Sequence, residues 1–193
     1  AGGKFFPYDG TLEISLCGAE LAHWMDLKNL RKPKIWAYAG QWDSDLRPLE
    51  LVKLRELNLE SNRIHNLSYL KGLTGLNVLL LSENQISDLT PLAGLTHLIA
   101  LSLNQNQVAD LAPLSGLTLL SDLSLEKNQI TDLSALAGMN KLKHLYLADN
   151  QVRDLSALKG MDSLQTLDLT GNPLEQAQVE ALREALPKCE IQF

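Results

Sequence analysis

Asparagine recurs every 22 residues along this chain, at Asn62, Asn84, Asn106, Asn128, Asn150 and Asn172. Each stands in one frame, L-x-x-L-x-L-x-x-N-x-[ILV]. Its first copy is Leu54, Leu57, Leu59, Asn62, Ile64 and its last is Leu164, Leu167, Leu169, Asn172, Leu174. Unbroken copies at a fixed period specify a solenoid, in which each coil packs on its neighbours and the core is a strip. The leucines at the fourth and sixth places alternate with variable residues, which is the period of a strand. Their side faces the core and the variable side faces out. Asparagine at the following bend offers one acceptor and two donors to backbone groups left open where the coil turns inward. Stacked copies would form an internal ladder, so these residues are read as structural.

The frame extends to both ends in weaker form. Ile35-x-Ala37-x-x-Gly40 precedes the Leu57 copy by 22 residues, and Leu12-x-Ile14-x-x-Cys17 precedes Ile35 by 23. At the other end Cys189 and Ile191 fall on the leucine places of a last strand. Nine strands are expected in all. The return half reads D-L-x-x-L-x-G-L, as in Asp88 to Leu95 and Asp110 to Leu117. Asp suits an N-cap, and Pro91 and Pro113 fit the first turn, where a missing N–H costs little. About 11 residues are too few for a long α-helix with its connections, so 3₁₀ turns are expected on the outer side. Glycine at 72, 94, 116, 138 and 160 is read as permitting the bend back to the strand. Helix formers after Pro173, with Val179, Leu182 and Leu186 on one face, predict a capping helix over about 175–185. Glu20 to Leu30 reads as a second helical stretch at the N-terminal end. The organisation is thus an N-terminal cap with two degenerate repeats (1–53), six regular repeats (54–174) and a C-terminal helix with the last strand (175–193).

Composition narrows function further. The chain has 193 residues and a net charge of −6. Its longest basic run, Arg31-Lys32-Pro33-Lys34, is short, so no nucleic-acid partner is expected. No stretch is long enough for a membrane span and no secretory signal is evident, although the chain starts at Ala1 rather than Met. Cys17 and Cys189 lie at opposite ends of a solenoid, which places them beyond disulfide reach, as two small buried residues.

The unit L-x-x-L-x-L-x-x-N-x-I-x-D-L-x-x-L-x-G-L resembles the short bacterial leucine-rich repeats typified by the internalins, strongly over residues 54–174. The ending L-P-K-C-E-I-Q-F is similar to the closing segment of many bacterial leucine-rich repeat proteins. The resemblance implies an α/β solenoid with a curved parallel sheet on the concave side and 3₁₀ or short helical turns on the convex side. It further implies that the concave face binds another protein, often at a cell surface or after secretion. It names no partner, because the matching residues are structural.

Function therefore resides in the outward-facing columns of the sheet. Trp36 and Tyr38 share one strand and both point outward; Val78 and Leu80 do the same two strands along, with Ile99 and Ala100 beside them. Large apolar groups there suggest a contact patch for a protein, with Tyr146 a separate anchor. A second reading, equally open for Trp36 and Tyr38, is that the N-terminal cap covers them. Acidic groups accompany the patch, among them Glu60, Glu83, Asp122 and Glu126, and would steer a basic partner surface. They serve solubility equally well. Ser124, Asp122 and His144 lie on neighbouring strands, but a flat open sheet supplies neither a pocket nor oxyanion donors, and Asp122 with His144 reads as a cross-strand ion pair. The four histidines share no ligand spacing, so neither a metal nor a cofactor is expected. The expected function is a non-catalytic protein-binding module, with a monomer favoured. The alternative is a self-assembling structural protein that uses the sheet edge or the concave face.

Overall fold

The computed structural model describes residues 54–193, together with two strands nearer the N-terminus, Glu13–Ser15 and Lys34–Trp36. The expected N-terminal cap, the helical stretch Glu20 to Leu30, Cys17 and Tyr38 lie outside the described residues.

Nine parallel strands form one sheet in sequential order among the described residues. They are β1 (Glu13–Ser15), β2 (Lys34–Trp36), β3 (Glu56–Asn58), β4 (Val78–Leu80), β5 (Ala100–Ser102), β6 (Asp122–Ser124), β7 (His144–Tyr146), β8 (Thr166–Asp168) and β9 (Glu190–Gln192). Five 3₁₀ turns, at Ser68–Leu70, Thr90–Leu92, Ala112–Leu114, Ser134–Leu136 and Ser156–Leu158, form the opposite side. Pro91 and Pro113 are the second residues of their turns, where a missing N–H costs little. Every frame leucine from Leu54 to Leu169 is buried, as are Met139 and Met161 in leucine places of the return half. Burying one such side chain contributes roughly 2 kcal/mol, so the leucine columns are the chief source of stability.

The asparagine ladder is present in full over β3 to β8. Asn84 Nδ2 donates to the carbonyls of Leu59 and Leu81, each at 2.9 Å, and of Ser82 at 3.2 Å. Its Oδ1 accepts from the Ile64 amide at 2.9 Å. Asn106, Asn128, Asn150 and Asn172 repeat the link to the preceding coil. Just before each asparagine the chain enters the left-handed region, at Ser61, Glu83, Gln105, Lys127, Asp149 and Gly171, with φ between 53° and 74°. That column carries the bend, and only its last member is glycine.

Several expectations need correction. The glycines at 72, 94, 116, 138 and 160 do not have positive φ, and a Cβ on any of them would meet nothing within 4 Å. The bend back to the strand does not require them. Each Asp of the return half stands one place earlier than an N-cap: the cap position is Leu89 in the Thr90–Leu92 turn, and Asp88 Oδ1 accepts from the Thr90 amide at 2.8 Å. At both sheet ends the pairing is shifted by two residues from the frame count. Ile14, not Leu12, pairs with Ile35, and Ile191, not Cys189, pairs with Leu167. A slip of two keeps each residue on its original side of the sheet, so the hydrophobic pattern does not register it. At the C-terminal end the return runs through α1 (Gln176–Ala185) instead of a 3₁₀ turn and uses the extra residues. Cys189 is consequently half-buried against the core rather than enclosed in it, and its thiol is free.

α1 is closed at its N-terminus by a reciprocal capping box between Glu175 and Gln178. Val179, Leu182 and Leu186 pack on the last coil and bury its end.

Candidate protein-binding face

The outward column before each central strand leucine runs Glu56, Val78, Ala100, Asp122, His144, Thr166, Glu190, and Glu13 and Lys34 pair in line with it in the backbone register. The column after it runs Asn58, Leu80, Ser102, Ser124, Tyr146, Asp168, Gln192, and Ser15 and Trp36 pair in line with it in the backbone register. From β4 to β8 each strand reads half-buried, buried, half-buried, so the two columns present a continuous, partly open surface.

The polar members of this face are tied to one another. Asn58 accepts from the Glu60 amide at 2.9 Å and donates to the Glu60 carboxylate at 3.3 Å. Ser82 and Ser102 share a hydroxyl–hydroxyl bond of 2.6 Å. Asn104 accepts from the Glu126 amide at 2.8 Å, and Asp168 from the Thr170 amide at 2.9 Å. His144 stands 4.0 Å from the Asp122 carboxylate on β6 and 3.3 Å from the Thr166 hydroxyl on β8. At that distance and exposure the Asp122–His144 pair contributes at most about 1 kcal/mol. Its value lies in orienting the imidazole. Ser124 sits on the same strand as Asp122, with no hydrogen bond to His144.

Val78 and Leu80 on β4 and Tyr146 on β7 are half-buried and remain partly open to solvent. Glu60 follows β3 and is half-buried, tied to Asn58 as above. Glu83 is placed differently from its expected position. It lies in the left-handed column downstream of the sheet, at φ 58°, where it accepts from the Ser61 hydroxyl at 2.8 Å. The structure thus groups Val78 with Leu80, and Asp122 with His144 and Tyr146, and sets Glu83 on the downstream rim. Trp36 lies in β2 beside Asn58 in the register; its side chain and Tyr38 lie outside the described residues. Leu119, with 36 % of its surface exposed, was missed by the column reading. Its signal was available: in Leu119-Leu120 the frame needs only the second leucine.

Among the described residues no helix is long and apolar enough to cross a membrane.

The family model for the leucine rich repeat matches residues 119–174. The model for leucine rich repeats in two copies matches residues 52–94, 74–114 and 96–138. Among solved structures, an internalin C2 from Listeria monocytogenes is 33% identical, with 95% of this chain and 80% of that one covered and a TM-score of 0.78. An internalin (inlF) from the same organism is 32% identical, covering 86% of this chain and 48% of its own, with a TM-score of 0.77. A leucine-rich repeat protein from Leptospira interrogans is 25% identical, covering 87% and 50%, with a TM-score of 0.70. The chain therefore spans about half the length of the last two. No curated protein matches it. The repeat matches run without a gap from residue 52 to 174, and the likeness to internalin C2 spans nearly the whole chain. The chain belongs to the leucine-rich repeat proteins, in their bacterial, internalin-like class.

Proposed function

We propose that this chain is a non-catalytic module that recognises a protein partner through the concave face of its sheet. Leucine-rich repeat proteins are generally protein-interaction modules. Val78, Leu80 and Tyr146 are the apolar anchors, Glu60, Asp122 and His144 their polar surround, and on the sequence pattern alone Trp36 and Tyr38 belong to the same patch. The observation that carries this reading is the pairing of half-open apolar side chains with polar neighbours already held by hydrogen bonds. Such a face loses little conformational freedom on binding. Its carboxylates favour a partner with basic groups at the contact.

The test is Leu80→Ala combined with Tyr146→Ala, each at an outward position that a smaller residue serves as well for the fold. Binding to the cognate protein should weaken at least about tenfold, since buried anchors contribute roughly 2 kcal/mol each on truncation. The melting temperature should stay within a few degrees of the parent, and Lys159→Ala on the convex side should change neither property. A double variant that binds normally, or loses binding only where it unfolds, removes the concave face from consideration.

A further inference from the structure

The flank of the solenoid where the chain enters its strands has a chemistry opposite to that of the concave face. Successive coils are stitched there by backbone bonds that continue the sheet: Asn77 N to Arg55 O, Ile99 N to Asn77 O, Ser121 N to Ile99 O and Lys143 N to Ser121 O, each 2.8 Å. Arg55, Asn77, Ile99, Ser121 and Lys143 therefore form a row at strand spacing, ~4.8 Å per rung. Ile99 is its midpoint, with a cation two rungs to either side. Leu119 and Lys141 lie two residues upstream of Ser121 and Lys143 on adjacent coils, next to His97 in the coil before. Ile99 is 46 % exposed and Leu119 36 %. With Phe193 at the far end, they are the large apolar side chains most open to water among the described residues. Lys141 and Lys143 are exposed, and neither forms an ion pair among the described residues.

We propose that this upstream flank is a second docking surface, for an extended acidic protein segment that seats apolar side chains on Ile99 and Leu119. Its carboxylates would reach Lys141 and Lys143 on one side and Arg55 on the other. A pair of exposed apolar groups bracketed by cations fits a segment of the reverse pattern in both charge and spacing. A second copy of this chain fits poorly. A two-fold contact that stacked Ile99 and Leu119 on their symmetry mates would set Lys141 and Lys143 against Arg55 and His97 of the other copy. An anionic bilayer is disfavoured as well, because membrane-binding patches gather about 4–8 basic residues and this flank has three lysines and arginines among the described residues.

The experiment is fluorescence anisotropy of the full chain with a fluorescein-labelled peptide of alternating glutamate and leucine. About eight residues suffice to span the row when extended. The parent should bind it, more weakly as salt rises, and should ignore the same peptide with lysine for glutamate. Lys141→Glu with Lys143→Glu, and separately Ile99→Ser with Leu119→Ser, should each weaken binding at least about tenfold. Both pairs are exposed, so melting temperatures should hold. Val78→Ser with Leu80→Ser should leave this binding unchanged, which separates failure of the flank from failure of the concave face. No binding by the parent, equal binding by the flank variants, or capture of phosphatidylglycerol vesicles in place of the peptide would each overturn the proposal.

Discussion

Asn106 shows how much one side chain can carry in a repeat. Its Nδ2 donates to the carbonyls of Leu81, Leu103 and Asn104, and its Oδ1 accepts from the Ile86 amide. Asn106→Ala leaves those buried groups without partners, each orphan costing about 1–3 kcal/mol. Thermal or urea unfolding should show a loss of about 3 kcal/mol; a loss below about 1 would mean that water replaces the ladder. Gln105, next to it, has a different sensitivity. It holds φ 55°, a region that costs an L side chain roughly 1–2 kcal/mol. Gln105→Gly should therefore stabilise, by about 0.5–1 kcal/mol after the greater chain entropy of glycine is counted. Gly171→Ala should have the opposite sign, because φ there is 74° and the new Cβ would run into the Asp149 carboxylate. Matching shifts for these two variants would remove the left-handed column from the account of the bend.

At the scale of the element, the convex turns depend on aspartate. The Thr90 hydroxyl and then its amide hold the Asp88 carboxyl below the usual range; for Asp132 and Asp154 the amides of Ser134 and Ser156 act first and their hydroxyls second. A carboxylate whose folded pKa is depressed stabilises the fold above its unfolded value, about 3.9, and loses that contribution as pH falls through the folded value. Acid should therefore loosen the turns below about pH 4. Replacing Asp88, Asp132 and Asp154 together by Asn keeps an acceptor that does not titrate, as Asn66 already does for the Ser68 amide at 2.9 Å. Between pH ~4 and ~2 the triple variant should lose less melting temperature than the parent. An identical slope for both would place the acid sensitivity elsewhere, for example in the carboxylates of the concave face.

In the whole molecule, contacts run between neighbouring coils, so stability is expected to decline toward the ends. β9 pairs on one side only, with β8, and its central Ile191 retains 8 % exposure, whereas Leu123 in the middle of the sheet retains none. In native-state hydrogen exchange the amides of β5 and β6 should therefore exchange slowest and those of β9 markedly faster. Uniform protection from β5 to β9 would show instead that α1 locks the C-terminal end into one cooperative unit. Charge also separates at this scale. The concave face and downstream rim carry Glu60, Glu83, Asp122, Glu126 and Asp149 with Lys127 among them, while the upstream flank carries Arg55, Lys141 and Lys143.

The 22-residue frame alone determined the solenoid, the strand positions of the regular repeats, the buried leucines and the asparagine ladder. Each of these follows from a local period that any coil must satisfy to pack on the next. Pairing at the two ends was decided only in three dimensions, because a two-residue slip leaves every side chain facing the same way and changes only its neighbours. Backbone conformation was equally hidden. Serine, glutamate, glutamine, lysine and aspartate fill the left-handed column up to its last member, Gly171, whereas the glycines of the return half have an ordinary φ. A residue type signals what it permits, and only the surrounding coil determines whether that freedom is used. Glu83 moved from the binding face to the rim for this reason. The upstream flank was also out of reach, since Ile99 and Leu119 are twenty residues apart in sequence. They become neighbours only when one coil is laid on the next and the hydrogen bond from Ser121 to Ile99 sets the distance between them.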